Sequence, residues 1–557
     1  MDITNILPSS MYWLLNAAPA FPVDPDKIEI ITEPHYFYKT LLQKTCQAKT
    51  RITLSSLYLG SGRLEQDLVK GVEEGLAGNK DLKVLWLLDW TRGSRLPNSS
   101  RQMLLPLLKY HSCQVSLFHT PELRGLLKLL LPQRWNEVVA LQHMKLYIFD
   151  DSLLISGANL SADYFSNRQD RYFLINQAPE LCNFFDEVVQ GNYKKYCACV
   201  EREVRSVWDD AVRRTSTRLA ASGPTEDMNR RVSDQHKTRA ATDTLVFPSL
   251  QMPSFNIDYD SHITERLLRS AHSGSCIHLA SGYFNLTRNY MTCLLQYATA
   301  QFIILCAHPK ANGFLGASGV AGAIPSAYTL LAKQFLAEVE RWRQRVRVKL
   351  YEYQRLDWTF HAKGLWYSEE SNSQSKTSSC SEEHSFSNVK SVEKSCSTLQ
   401  AKSIETSCSS SSQSKTSSCS GEHSFSNVKS EEKSCSTLQS KFKEISYSSM
   451  QSDSRAEEYL AEHSYSDMAM GIPGSHLLPC LTLIGSPNFG WRSVHRDLES
   501  QVVLVTRNPD LQRRLQHERR QLYVRASLVH HSRTFAEPDR RVRFWVRFVV
   551  PLIKRFF

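Results

Sequence analysis

The stretch whose reading decides the fold runs from His143 to Leu160, "HMKLYIFDDSLLISGANL". Its apolar residues fall in two short runs, "LYIF" and "LLIS", on either side of Asp-Asp. That pattern predicts two buried strands joined by a tight turn. In extended chain, side chains two apart share a face, so His143 and Lys145 point the same way. Asn159 follows where the second strand ends. A lone His-x-Lys is a weak signal, and the reading turns on whether the chain contains another.

It does. "FHAKGLWYS" (360–368) carries His361 and Lys363, and "LTLIGSPNFGWRSVHRDLESQVVLV" (481–505) carries Asn488. With the residues between them set aside, the second half reads histidine, lysine, strand, turn, Gly-Ser-Pro-Asn. The match continues: Asp170 stands eleven residues after Asn159, and Glu499 stands eleven after Asn488. Each acid leads into an apolar run, "RYFLI" and "SQVVLV". Two such halves packed about a pseudo-twofold axis would bring paired histidines, lysines and asparagines into one cleft.

The intervening residues differ in kind. "SQSKTSSCSEEHSFSNVKSVEKSCSTLQAK" (373–402) recurs with few changes at 412–441, a period of 39 residues. Two serine-rich copies with few apolar side chains bury too little surface to offset the entropy of ordering. Residues 369–473 are therefore expected to form a disordered insert between a strand and its hairpin partner. A long loop there adds little closure entropy.

Working outward, "KIEIITEPHYFYKTLLQKTCQAKTRITLSSLYLG" predicts strand, helix, strand. A helix ("RLEQDLVKGVEEGLAG"), a strand ("LKVLWLLDW"), another helix and a strand ("QVSLFHT") follow. Alternation of this kind predicts an α/β layer architecture. "ITERLLRSAHSGSCIHLASGYFNL" repeats the first helix and strand, and Tyr58 and Tyr283 mark equivalent strand ends. The expected organisation is an N-terminal segment (1–26), a first domain (27–204), a linker with some helix (205–243) and a second domain. That second domain is split by the insert into 244–368 and 474–557, the latter ending in a basic tail.

The 557 residues are too many for one core. A net charge of +11 favours anionic partners. The 14 cysteines follow no framework spacing, which fits reduced thiols in an intracellular setting. No apolar run reaches the roughly 18–20 residues that cross a bilayer. The N-terminus resembles neither a secretory signal nor a transit peptide. "SLYLGSGR" lacks the Gly-Lys-Ser/Thr ending of a P-loop.

The repeated residue types suit phosphodiester chemistry. A neutral imidazole can attack phosphorus and form a phosphohistidine, and a second can carry protons near neutral pH. Lys145, Lys363, Asn159 and Asn488 can hold the non-bridging oxygens. Asp170 and Glu499 can orient imidazole N–H groups. The chemistry needs no metal and no cofactor. The motifs resemble the paired His-Lys-Asp motifs of the phospholipase D superfamily. Further stretches, among them "LSADYFSNRQDRYF", "NGFLGASGVAGAIPSAY" and "WTFHAKGLW", resemble the eukaryotic mitochondrial phosphatidylglycerophosphate synthases. The likeness covers nearly all of 27–368 and 474–557.

The resemblance implies two phospholipase D-like α/β/α domains sharing one cleft. It implies CDP-diacylglycerol and glycerol 3-phosphate as substrates, His143 as nucleophile, His361 as proton carrier, and a mitochondrial setting. Asp150 is the motif aspartate of the first copy, while the second copy has Ser368 there, which makes Asp150 more structural than chemical. Candidate clamps for the glycerol phosphate dianion are Arg92, Arg95, Arg168, Arg171, Arg492 and Arg496. The Gly-rich run 313–328 reads either as a backbone cradle for a pyrophosphate or as a loop. "LRGLLKLLLPQRW" (123–135) and the C-terminal "RRVRFWVRFVVPLIKRFF" mix basic with apolar residues, as a peripheral contact with an anionic membrane does. No reader module for nucleic acid is visible. The rival readings are a phospholipase D-type hydrolase or nuclease, a sibling transferase such as a phosphatidylserine synthase, and a binding protein with a decayed motif.

Overall fold

The computed structural model describes residues 6–122, 139–191, 197–221, 243–370 and 471–554. Strands β1 (Ile28–Ile31), β2 (Arg51–Ser56), β3 (Lys83–Asp89), β4 (Cys113–Phe118), β5 (Leu146–Phe149), β6 (Ser152–Ser156) and β7 (Tyr172–Ile175) form one sheet in the order β1-β7-β6-β5-β2-β3-β4. Strands β8 (Thr244–Gln251), β9 (Ser275–Ser281), β10 (Gln301–Ala307), β11 (Val348–Tyr353), β12 (Lys363–Glu369), β13 (Pro479–Gly485) and β14 (Glu499–Thr506) form another, in the order β8-β14-β13-β12-β9-β10-β11. The second order is the first with seven added to each label. In both sheets the β2–β3–β4 equivalents run parallel and the other neighbours antiparallel. The twofold repeat expected from the motifs is thus a repeat of whole sheets, and the fold is α/β.

The strands form because their residues are covered on both faces. All four residues of β5 and all eight of β14 are buried. Strands buried on both sides read as continuous apolar runs, as "LYIF" does. Helices Pro34–Gln47 and Arg63–Gly78 flank β2, and helix Tyr259–Ser270 precedes β9 as Pro34–Gln47 precedes β2. In each half a helix follows β7 or its equivalent β14, Pro179–Gly191 and Pro509–Tyr523, and in the second half a further short strand, Ala526–Leu528, then pairs antiparallel with β11. Contrary to the expectation from length, one apolar core runs through both halves, from Ile148 and Phe173 to Leu483 and Val503.

Two features differ from a simple tandem of domains. The N-terminal segment belongs to the second sheet: Phe21–Pro22 pairs with Leu245 and Val246 at the β8 edge. Residues 205–221 complete a helix begun at Cys197, and Trp208 from it stacks on Tyr259 at 4.0 Å. Its buried Val204, Trp208 and Ala211 recur at helical spacing. Residues 222–242 lie outside the described residues, as do 371–470 of the insert and 123–138 with the basic-apolar run. The flanks of the insert are described. They are the antiparallel partners β12 and β13, tied together by Arg519, which donates to Ser368 Oγ (3.2 Å), Ser475 O (2.8 Å) and Leu477 O (3.0 Å).

The halves also pair backbone to backbone at two places related by the repeat. Gln142 bridges Leu498 in parallel, and Thr359–Phe360 pairs in parallel with Arg168–Gln169. His143 N–H donates to Leu498 O, and His361 N–H donates to Gln169 O, both at 2.8 Å.

Candidate active site

These two bridges build the site. The residue after Gln142 is His143 and the residue after Leu498 is Glu499. The residue after Phe360 is His361 and the residue after Gln169 is Asp170. Parallel pairing sets each histidine beside the acid of the other half. His143 Nδ1 lies 2.8 Å from Glu499 Oε2, and His361 Nδ1 lies 2.6 Å from Asp170 Oδ2. At His143 the carboxylate on Nδ1 selects the tautomer whose Nε2 carries the lone pair, while at His361 Nδ1 Asp170 shares the position with Lys363 Nζ at 2.7 Å.

His143 and Lys145 stand in extended chain just ahead of β5, and Lys363 opens β12. Each lysine folds back to the carbonyl of its own histidine, Lys145 Nζ to His143 O at 2.6 Å and Lys363 Nζ to His361 O at 2.7 Å. Lys363 Nζ is also 3.7 Å from Asp170. The two clusters form one electrostatic unit, since Lys363 acts on His143 while Lys145 and His143 act on His361. Gly157 leaves room for this, because a Cβ there would come within 2.8 Å of both Asp170 Oδ1 and Lys363 Nζ. Gly282 does the same for the His361 backbone, where a Cβ would meet His361 Cα at 2.8 Å.

Burial sets the charge states. It pushes both imidazoles well below their ordinary 6.5, and the neighbouring lysines push the same way. Burial raises Asp170 to about 6 against the pull of Lys363, and Glu499 to about 7 against Lys145. It lowers Lys145 to about 7. The imidazoles are therefore neutral at pH 7, the form a nucleophile or base requires.

The site is not symmetric at Nε2. Tyr164 Oη lies 3.2 Å from His361 Nε2 and accepts a hydrogen bond from Asn159 Nδ2 at 3.0 Å. The rings of Tyr164 and Tyr283 pack edge-on against His361, with centroids at 5.0 and 5.5 Å. Among the described residues His143 Nε2 has no such partner, and its side chain is 13% exposed against 5% for His361. Asn159 Oδ1 and Asn488 Oδ1 are buried with no hydrogen-bond partner among the described residues, a matched pair of polar groups.

The structure distributes the other expected residues unevenly. Asp150 is away from the histidines, in the β5–β6 turn at φ +50°. Its carboxylate accepts from Lys49 N, Thr50 N, Thr50 Oγ1 and Arg51 N, and so fastens the start of β2. Arg168 reaches the His361 side, over the Tyr164 ring at 4.6 Å and paired with Asp163. Arg92 lies over the Tyr58 ring at 4.6 Å, and Arg95 is half-buried on the same turn. On the His143 side Arg492 pairs with Asp497 at 2.7 Å and lowers the His143 pKa, and Arg496 lies 5.2 Å from the Trp491 ring. The Gly-rich run forms a loop, a turn at Gly319–Ala323 and the helix Ile324–Arg341, and its Phe314 packs on Tyr283.

No family model matches the chain. Curated relatives do match it. The mitochondrial CDP-diacylglycerol–glycerol-3-phosphate 3-phosphatidyltransferase of Gallus gallus is 38% identical over 98% of this chain and 86% of its own length. That of Homo sapiens is 37% identical over 98% of this chain and 85% of its own. This chain belongs to the CDP-diacylglycerol–glycerol-3-phosphate 3-phosphatidyltransferase family. A solved structure of the phosphatidylserine synthase of Haemophilus influenzae aligns with TM-score 0.60 at 15% identity, over 98% of this chain and 99% of that one, a likeness of fold.

For this family member one sequence expectation is corrected. Arg171 is no substrate clamp. It is fully buried, holds Glu518 through two bonds of 2.7 and 2.9 Å, donates to Leu483 O and Thr482 Oγ1, and stacks 3.9 Å from the Trp366 ring. Trp366 Nε1 donates to the same carboxylate. Arg171 therefore ties β7 of one half to the helix and strands of the other. Sequence reasoning also missed Tyr164, five residues past Asn159. The same offset from Asn488 gives Ser493, so the repeat itself hides it. Arg171→Met is expected to cost about 3–5 kcal/mol, because a charge is left buried, and Arg171→Met/Glu518→Leu to recover part of that. Thermal unfolding measures this. A substrate clamp would instead raise KM with Tm unchanged.

Proposed function

We propose that this chain transfers the phosphatidyl group of CDP-diacylglycerol to sn-glycerol 3-phosphate, giving phosphatidylglycerophosphate and CMP through a phosphohistidine. The reaction takes place in mitochondria, at an anionic membrane surface. Among the described residues no helix is long and apolar enough to cross a membrane. The observation that carries the reading is the crossed His–acid pairing within a chain of this family.

His143 is the nucleophile in this reading. Its Nε2 lone pair attacks the lipid-side phosphorus, the bond from that phosphorus to the bridging oxygen breaks, and CMP leaves with the electron pair. The leaving group is a phosphate monoester with a second pKa near about 6, so it needs little acid assistance. In the second step the 1-hydroxyl of glycerol 3-phosphate gives its proton to His361 Nε2. Its oxygen attacks phosphorus, and the P–N bond breaks to restore neutral His143. Lys145, Lys363, Asn159 and Asn488 hold the non-bridging oxygens, and the arriving phosphate draws both lysines back to full charge. Glu499 and Asp170 steady the imidazoles through Nδ1. The open Nε2 of His143 and the covered Nε2 of His361 favour this division of labour. Arg168 and Arg92, among the tyrosines of the His361 side, are suited to the acceptor phosphate.

Phosphatidylglycerophosphate formed from CDP-diacylglycerol and radiolabelled glycerol 3-phosphate tests the reading. CMP release beyond the first turnover is expected to require the acceptor, and His143→Ala to abolish product. Steady CMP release without acceptor would show a hydrolase, and serine as the better acceptor would show a phosphatidylserine synthase.

Water competes with the acceptor for the phosphohistidine. The Tyr164 hydroxyl occupies the base position of His361 until an acceptor hydroxyl displaces it. Tyr164→Phe is expected to raise the share of phosphatidic acid among products by about tenfold, a differential of ~1.4 kcal/mol between the two acceptors. Product ratios at saturating glycerol 3-phosphate measure this, and an unchanged ratio would contradict the role.

A further inference from the structure

The C-terminal helix Phe544–Ile553 is apolar on two sides and covered on one. Val546 and Val550 are buried against Ala323, Ala327 and Leu331 of the Gly-rich turn and the helix that follows it. On the other side Phe544 is 75% exposed, Trp545 40% and Phe548 63%. Phe544 and Phe548 are one turn apart, so they form a ridge, with rings 4.8 Å apart. A helix with apolar residues on two sides calls for apolar surroundings on both, and here one side lacks them.

Charge indicates what those surroundings are. Residues 541–554 hold four cations, Arg541, Arg543, Arg547 and Lys554, and no acid. All four cations are exposed. Aromatic side chains framed by arginine and lysine match the headgroup region of an anionic bilayer, where rings reach the acyl boundary and cations meet phosphates.

The ridge is also continuous with the site. Tyr328, packed against the same small cluster as Val546 and Val550, stacks on Tyr283 at 5.6 Å, and Tyr283 packs on His361 at 5.5 Å. Asn285, two residues beyond Tyr283, donates to Lys554 O at 2.9 Å. Phe314 packs on Tyr283, and the next residue, Leu315, is 59% exposed.

We propose that this helix docks the enzyme on an anionic membrane, with Phe544, Trp545 and Phe548 seated in the interface beside the His361 side of the active site. The proposal rests on the reading that one substrate is a lipid. A docked helix lets CDP-diacylglycerol present its pyrophosphate to the crevice while its acyl chains stay in the bilayer. Only the headgroup then leaves its surroundings.

The test uses the full chain and the triple variant Phe544→Ser/Trp545→Ser/Phe548→Ser, with Phe544→Leu/Trp545→Leu/Phe548→Leu as the apolar control. Sedimentation with phosphatidylcholine vesicles, with and without phosphatidylglycerol, reads binding. CMP release from long-chain CDP-diacylglycerol in those vesicles, and from a dispersed short-chain analogue, reads access to substrate. The serine variant is expected to lose at least about tenfold in vesicle binding and in long-chain turnover. Its turnover of the dispersed analogue stays within about twofold of wild type, and the leucine variant keeps vesicle binding. Arg543→Gln/Arg547→Gln is expected to lose only the part of binding that phosphatidylglycerol adds. Serine-variant binding equal to wild type would overturn the proposal. So would a change in its oligomeric mass with vesicle binding intact, which would make the ridge a contact between copies. A wild type that turns over neither substrate would overturn the transferase reading, while sedimentation would still decide the docking.

Discussion

The structure depends on two short parallel backbone pairings between its halves, Gln142 with Leu498 and Phe360 with Gln169. Each fixes a register, and one residue further on that register places a histidine of one half against an acid of the other. Neither half holds a complete site. A one-residue slip in either pairing would turn the imidazole or the carboxylate to the opposite face. The buried Arg171–Glu518 pair and the apolar core that runs through both sheets hold the halves in that register.

Water exclusion then does most of the electrostatic work. Two lysines, two carboxylates and two imidazoles share a buried volume, and each is pushed toward its neutral form. In the proposed reaction an entering phosphate restores the lysine charges where they are needed. The two halves differ around the histidines: Tyr164 meets His361 Nε2 and Lys363 reaches His361 Nδ1, while at the position equivalent to Tyr164 the second half has Ser493, whose Oγ accepts from Asn488 N. A duplicated scaffold needs such a difference before one histidine can act as nucleophile and the other as base.

Much of this was legible in the sequence. The repeated His-x-Lys, the two asparagines and the common offset of eleven to an acid pointed to two halves and one cleft, and the strands follow the apolar runs that predict them. Which acid serves which histidine was not legible. The partners are 356 and 191 residues apart, and their pairing is set by register between halves, which leaves no local periodicity. Tyr164 was missed because an aromatic residue in "ADYFS" reads as core. Arg168 and Arg171 read alike within "NRQDR", and only burial tells them apart. The later part of helix Cys197–Ala221 reads as linker because its charged residues mask the spacing of Val204, Trp208 and Ala211.

The most direct test of the crossed site is single-turnover CMP release by Glu499→Gln and Asp170→Asn. In the proposed mechanism Glu499 serves the nucleophile, so its amide variant should lose the CMP burst by at least about a hundredfold. Asp170→Asn should keep the burst and slow delivery of the phosphatidyl group to glycerol 3-phosphate. A lost burst in Asp170→Asn with a normal burst in Glu499→Gln would contradict the account.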